Sequence, residues 1–264
     1  MKKWIALMLG LMMVLSCAAA VAEDDSLQKV IDKGTFVLGL DDAFPPMGYR
    51  DEDGEIVGFD IDVAAEVCDR LGVQLVVQPV DWSTKEVELS TGAIDCIWNG
   101  LTMTPERVEQ MAFSAPYLNN TQVIVVKADS PVQTLADLAG KTLAVQAGSS
   151  GVDALSANQD FADTLGEVLE FDDFMMAMMD LDNGGCECVL IDVIVAGYYM
   201  AQNENAYRML DETLAAEQFG IGMRKGDDAL VAAVDGALAE MAADGTLAAI
   251  STDWFGEDIT LIGK

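Results

Sequence analysis

The sequence predicts an α/β chain folded as two similar lobes. Short apolar runs of strand length alternate with amphipathic helical stretches. After about residue 120 the alternation starts afresh, and no Gly/Ser/Pro-rich or low-complexity linker separates the two halves. Apolar strands that alternate with helices imply a parallel sheet covered on both faces. Two such units without a flexible linker imply lobes joined by crossing strands.

In chain order, the first feature is an export-signal pattern. Lys2 and Lys3 precede an apolar run over 4–15, interrupted by Gly10. Ala20-Val21-Ala22 then supplies small-x-small, and Glu23-Asp24-Asp25 follows. The run is short for a membrane span, and no later stretch is long and uncharged enough to be one. A buried N-terminal helix is the competing reading, and the acidic triplet argues against it. Cys17 follows the run in Val14-Leu15-Ser16-Cys17, a lipobox-like stretch in which Leu15 stands where a smaller residue is usual. Two maturation routes stay open: cleavage after Ala22, which the pattern favours slightly, or lipidation of Cys17. Removing residues 1–22 leaves enough chain for one large domain or two of about 120 residues.

In the first unit, 36–40 reads as a strand. Residues 60–71 read as a helix with Ile61, Ala64, Ala65, Cys68 and Leu71 on one face, stopped by Gly72. A strand over 74–80 comes next, then a capping-box pattern, Ser83-Thr84-Lys85-Glu86, opening a helix that Gly92 ends. Residues 94–98 form the next buried strand. The second unit has strands over 122–127, 142–146 and 186–191. A short helix capped by Thr134 ends at Gly140, and a helix covers 171–181. In that helix Met175, Met176, Met178 and Met179 read as packing filler. A strand over 218–223 and helices over 227–243 and 246–255 close the chain.

Composition excludes several function classes. The chain has 264 residues, with 14 Lys+Arg against 45 Asp+Glu, for a formal charge of −31. Such a charge repels nucleic acid and anionic membrane surfaces, and otherwise serves solubility. Histidine is absent, which removes Ser-His-Asp and Cys-His nucleophile systems and imidazole metal sites but leaves carboxylate chemistry open. Besides Cys17, Cys68, Cys96, Cys186 and Cys188 show no repeated metal-site spacing and are expected as buried free thiols. Neither a metal nor a cofactor is expected.

The strongest chemistry lies in 99–107. Asn99 and Gly100 follow a buried strand at its carboxyl end, where open α/β sheets bind ligands. Thr104 is a natural N-cap, Pro105 suits the first helical position, and Arg107 falls in the first turn. Gly100 lets backbone N–H groups come close to a ligand. With Thr102 and the Arg107 guanidinium they can hold a carboxylate. A plain helix start is the competing reading. Asp192, at the end of the 186–191 strand, can hold an ammonium group or cap the following helix. Asp41, Phe44 and Trp82 also follow strands. Asp41 and Asp42 place acid at the mouth of the first unit, and the two aromatics either wall a pocket or belong to the core. Ser149 and Ser150 can donate hydrogen bonds at a helix start, or simply form a capped turn.

These pieces resemble family 3 solute-binding proteins. The resemblance runs through Gly39-Leu40-Asp41-Asp42-Ala43-Phe44-Pro45-Pro46-Met47 and Gly54-Glu55-Ile56-Val57-Gly58-Phe59-Asp60-Ile61-Asp62. It continues in Leu71-Gly72-Val73, Gly92-Ala93-Ile94-Asp95, Thr102-Met103-Thr104-Pro105-Glu106-Arg107 and Phe113-Ser114-Ala115-Pro116-Tyr117. Leu135-Ala136-Asp137-Leu138-Ala139-Gly140-Lys141, Arg224-Lys225-Gly226-Asp227 and Ala243-Asp244-Gly245-Thr246-Leu247 complete it, in order, over nearly all of the mature chain.

The resemblance implies a type II periplasmic-binding-protein fold that captures polar amino acids. Arg107 then holds the ligand α-carboxylate, assisted by Gly100 and Thr102, and Asp192 holds the α-ammonium. Asp41, Phe44 and Trp82 surround the ligand side chain, and Gln146, Ser149 and Ser150 come from the second lobe. Phe44 stands where tyrosine is common, Met47 replaces a usual phenylalanine, and Asn99 occupies an often smaller position. Lobe one is expected over 27–120 plus 219–264 and lobe two over 121–218, with a hinge near Asn120 and Phe219. The expected role is extracytoplasmic capture of a cationic or neutral polar amino acid by a monomer, for an ABC permease and its ATPase. A carboxylate-using dehydratase on the same fold is the rival, and a receptor's ligand sensor is a third reading. Against the sensor stands the expectation that no membrane helix or output domain follows Lys264.

Overall fold

A computed structural model describes residues 24–264. Lys2, Lys3, Cys17 and Ala22, on which the export reading rests, lie outside the described residues. The strands in chain order are β1 (Thr35–Leu40), β2 (Ala43–Phe44), β3 (Gly48–Arg50), β4 (Ile56–Val57), β5 (Gln74–Pro79), β6 (Cys96–Ile97) and β7 (Met111–Phe113). After them come β8 (Leu118–Lys127), β9 (Thr142–Gln146), β10 (Glu167–Phe171), β11 (Cys188–Asp192), β12 (Tyr207–Phe219) and β13 (Gly222–Arg224). One sheet has the order β5-β1-β6-β13-β7 and the other β10-β9-β11-β8-β12, and β2-β3-β4 form a small third sheet.

Neither large sheet is purely parallel, which corrects the expectation. β13 runs antiparallel to β6 and β7, and β8 runs antiparallel to β11 and β12. The reason is the double crossing. β8 leaves the first unit and β12 returns to it, paired antiparallel from Tyr207↔Lys127 to Leu118↔Phe219, with register shifts around Thr213. An isolated bridge, Thr102↔Phe219, ties the end of this ribbon to the first lobe.

The long apolar run in β8 is explained by burial on both faces. Val123 and Val125 pack into one cluster with Ala144, Val189 and Ile191, while Ile124 and Val126 pack into another with Leu143, Leu190 and Leu155. A strand sends alternate side chains to opposite faces, so both must be apolar. In the first sheet, Leu38 and Phe36 pack with Val63 and Val67, and Ile94, Ile97 and Leu101 pack on the other side with Trp82 and Leu89.

Several boundaries differ from the sequence expectation. The helix over Phe59–Leu71 buries Val63 and Val67 beside Ile61, Ala64 and Cys68, while Ala65 faces solvent. The capping box at Ser83 does not form. The helix is Lys85–Thr91 with Thr84 as N-cap, because the Ser83 hydroxyl donates to Asp81 Oδ1 at 2.6 Å. The box at Thr134–Asp137 does form, on a 3-10 turn over Leu135–Leu138. Phe171 ends β10 rather than starting a helix. The helix is Phe174–Asn183, capped by Asp173, whose carboxylate accepts from Met176 N. On it only Met178 of the four methionines is buried, whereas Met175, Met176 and Met179 are half exposed, so they are not core filler. The single strand expected over 218–223 is two, β12 and β13, separated where the chain passes from one sheet to the other. Cys68, Cys96, Cys186 and Cys188 are buried free thiols. Among the described residues no helix is long and apolar enough to cross a membrane.

Candidate functional site

The carboxyl ends of β1, β6, β9 and β11 point at one interlobe cleft, and the loops that leave them carry the polar groups. Gly100, in the loop after β6, has φ +59, and a Cβ there would lie 2.7 Å from Phe44 Cε1, so glycine is required. Its N–H donates to Asp60 Oδ2 at 2.8 Å, and the Tyr117 hydroxyl donates to the same oxygen at 2.9 Å. Asp60 is fully buried, and desolvation pushes its carboxyl up to about 7 against these two donors.

Thr104 caps the helix Pro105–Gln110 by accepting from Arg107 N. This cap fixes the first turn and sends the Arg107 side chain back into the cleft. Arg107 donates through Nη1 to the Thr102 carbonyl at 3.2 Å and through Nη2 to the Gly148 carbonyl of the other lobe at 2.9 Å. Its Nε lies 3.6 Å from Glu86.

Asp192 is the last residue of β11. Its side chain makes no capping bond to the helix Val193–Gln202. Instead Oδ1 accepts from Asn120 Nδ2 at 2.5 Å and Gln122 Nε2 at 2.8 Å. Burial and the nearby Glu217 carboxylate push Asp192 up to about 8, the two amides opposing the shift. Ser150 Oγ lies 3.1 Å from Thr102 Oγ1 across the cleft, and the Ser149 hydroxyl donates to the Gln146 carbonyl.

Phe44, Trp82, Gly100, Thr102, Arg107, Gln146, Ser149, Ser150 and Asp192 line one narrow cavity between the lobes, and all of them belong to the expected set. The other two expected residues sit behind its wall. Asp41 is buried and accepts from Ala43 N at 2.9 Å and from Gln146 Nε2 at 2.6 Å. Asn99 turns inward, its Oδ1 accepting from Asp41 N at 3.2 Å, and so supports the Asp41 turn instead of the cavity. Asp42 does not stand free at the mouth, since it is paired with Arg50 at 2.6 Å. Phe44 packs against Phe174, ring centroids 5.8 Å apart.

Lys85, Asn120, Gln122 and Glu217 were not expected among the site residues, although Asn120 was expected at the hinge. The buried Lys85 ammonium donates to the Trp82 and Gly148 carbonyls at 2.8 and 2.9 Å and lies 4.6 Å from the Trp82 ring centroid. Burial, with Arg107 nearby, lowers it to about 8. Asn120 and Gln122 are two apart on β8, hence on one face, and that spacing was the available signal. Among the described residues no group of three or more Cys, Asp or Glu side chains is placed to hold a metal ion.

Residues 36–257 match the family model of bacterial extracellular solute-binding proteins, family 3. An L-cystine-binding protein of Escherichia coli (strain K12) is 32% identical over 241 residues, spanning 90% of this chain and 89% of that protein. The crystal structure of an ABC uptake transporter substrate-binding protein from Streptococcus pneumoniae with bound histidine superposes with a TM-score of 0.87. It is 39% identical and covers 90% of this chain and 98% of that one. An ancestral amino-acid-binding protein, a precursor of cyclohexadienyl dehydratase, superposes with a TM-score of 0.80 at 30% identity over 87% of this chain and 99% of that one. The fold is the type II periplasmic-binding-protein fold.

Proposed function

This chain belongs to family 3 of the bacterial extracellular solute-binding proteins, and we propose that it captures a free polar amino acid for an ABC importer. One observation carries the reading: Arg107 and Asp192 line the same narrow cavity from opposite lobes, a cation for the α-carboxylate and an acid for the α-ammonium. Thr102 and Ser150, whose hydroxyls meet across the cleft, supply the neutral hydrogen bonds, and Phe44 and Trp82 wall the side-chain end. Relatives named for L-cystine and bound to histidine support a free amino acid as ligand.

In this reading the chain is a binding protein, not an enzyme, and works as a monomer without a cofactor. Residues 27–120 with 219–264 close on 121–218 about the β8–β12 crossing, because the ligand makes extra contacts in the closed form. A permease, and through it an ATPase, takes up the ligand from that form. The protein acts in the periplasm or at the cell surface, after cleavage following Ala22 or lipidation of Cys17. A thermal-shift and calorimetric screen of the twenty amino acids and L-cystine tests it, and a chain that binds none of them would overturn the reading. The similarity to a dehydratase precursor, together with a buried carboxyl of raised pKa at Asp192, supports carboxylate acid–base chemistry as the second reading. Product formation from a prephenate-like compound separates the two.

A further inference from the structure

Glu217 takes no part in the Arg107–Asp192 clamp, yet its carboxylate is the meeting point of both lobes. It sits on β12 opposite Asn120 of β8. Its Oε2 lies 2.9 Å from Thr102 Oγ1, 2.9 Å from Asn120 Nδ2, 3.1 Å from Gln122 Nε2 and 3.2 Å from Ser150 Oγ. Thr102 belongs to the first lobe, Ser150 to the second, and the amides to the crossing strand. The same two amide nitrogens donate to Asp192 Oδ1, so two carboxylates are held across one pair of amides. The amide oxygens, Asn120 Oδ1 and Gln122 Oε1, are buried without a hydrogen-bond partner. Two spare acceptors beside two carboxylates suit a group with three N–H donors.

We propose that Glu217 is a positioning residue for amino-acid binding, gathering Thr102 and Ser150 from opposite lobes and aligning the amides that orient Asp192. The proposal rests on the amino-acid reading of the cleft. Glu217 and Asn120 stay paired on the hinge ribbon, but Thr102 and Ser150 meet only when the lobes are together. The four contacts are therefore complete in the closed form alone. Hydrogen bonds to an ionised acceptor are about twice as strong as neutral ones, so the carboxylate favours closure, and a larger closed fraction tightens apparent affinity. Among charged groups, Asp192 faces Glu217 from β12 and Arg107 across the cavity, and Asp153 lines the groove on the outer side of Glu217.

Glu217→Gln keeps the length and one acceptor oxygen but removes the charge. Titration of the full chain with L-arginine, L-glutamine and L-cystine between pH 5 and 9 is the test. The variant should bind the preferred ligand roughly tenfold more weakly or worse. The acid limb of its affinity profile should also move to lower pH, because Asp192 loses a neighbouring negative charge. Glu217→Asp should restore the wild-type limb. Unchanged affinity would overturn the proposal, and so would a weakening with an unmoved acid limb, which would leave Glu217 as packing only. Failure of the wild-type chain to bind any of the twenty amino acids or L-cystine would count against the amino-acid reading itself rather than against Glu217 specifically.

Discussion

Gln146 Nε2 donates to Asp41 Oδ2 at 2.6 Å across the cleft, joining the end of β9 to the turn after β1. Burial raises Asp41 to about 6, opposed by the Ala43 N–H and the Gln146 amide and reinforced by Asp173 and Asp42. A cationic ligand side chain reaching this point gains a charge pair, while a carboxylate meets like charge. Cationic and neutral polar amino acids should therefore bind well ahead of glutamate and aspartate. Asp41→Asn should weaken a cationic ligand roughly tenfold or more while changing a neutral one far less. Calorimetry with L-arginine against L-glutamine measures the difference. Tight glutamate binding by the wild type at neutral pH would show the pocket reading to be wrong.

The clamp residues carry the larger effects. Arg107→Ala should cost ~2–5 kcal/mol of binding, because a desolvated ligand carboxylate is left poorly paired. Asp192→Asn should cost a similar amount, since its amide oxygen can still accept from Asn120 Nδ2 and Gln122 Nε2 but the ligand ammonium loses its charge partner. Folding is checked by thermal melts of the ligand-free variants. A folded variant with wild-type affinity removes that residue from the site.

The buried acids predict an unusual pH response. Asp41, Asp60 and Asp192 are raised to about 6, 7 and 8, above the unfolded value of about 4. Raised acids contribute stability that is fully present below the unfolded value and lost as pH rises through the folded one. The ligand-free melting temperature should therefore fall between pH 5 and 9. Asp244, lowered to about 2 by Thr246 and Arg70, acts with opposite sign but only below about pH 4. A ligand ammonium pairs with ionised Asp192, so ligand stabilisation should grow from pH 5 to about 8, above which the ligand α-amino group loses its own proton. Melts at pH 5, 7 and 9 with and without ligand check this. A ligand-free midpoint that rises steadily to pH 9 would contradict it.

The cleft was largely legible in sequence because its groups sit where local rules place them. Gly100, Thr102 and Arg107 follow a strand end and a Thr-Pro helix start, and Asp192 closes a continuous apolar run. The crossing was expected near Asn120 and Phe219, but the polar cluster it carries was not legible. Asn120, Gln122 and Glu217 become a cluster only when β8 and β12 pair with Glu217 opposite Asn120, and that register follows from long-range pairing. The edge strand β10 was overlooked because Glu167-Val168-Leu169-Glu170-Phe171 is mostly exposed, without the buried run that marked the others. Met175, Met176 and Met179 misled in the other direction, since an apolar residue on an outer helix face reads like core until its face is known.

Closure itself can be tested at Gly148, whose carbonyl accepts from both Lys85 and Arg107. Gly148 has φ +66, and a Cβ there would lie 3.0 Å from Ser83 Cα and 3.4 Å from the Trp82 carbonyl, both backbone atoms of the opposite lobe. Gly148→Ala therefore adds two penalties. The left-handed conformation costs ~1–2 kcal/mol, and the methyl group pushes the lobes apart although every clamp side chain is intact. Gly140→Ala isolates the first penalty, because Gly140 has φ +73 and nothing within 4 Å of its Cβ position. Both variants should melt somewhat lower than wild type. Only Gly148→Ala should bind its amino acid roughly tenfold more weakly or worse. At saturating ligand, solution scattering should show it less compact than the bound wild type. Equal affinity losses in the two variants would trace the effect to backbone strain alone, and wild-type affinity in Gly148→Ala would show that the lobes need not meet at this carbonyl for ligand to be held.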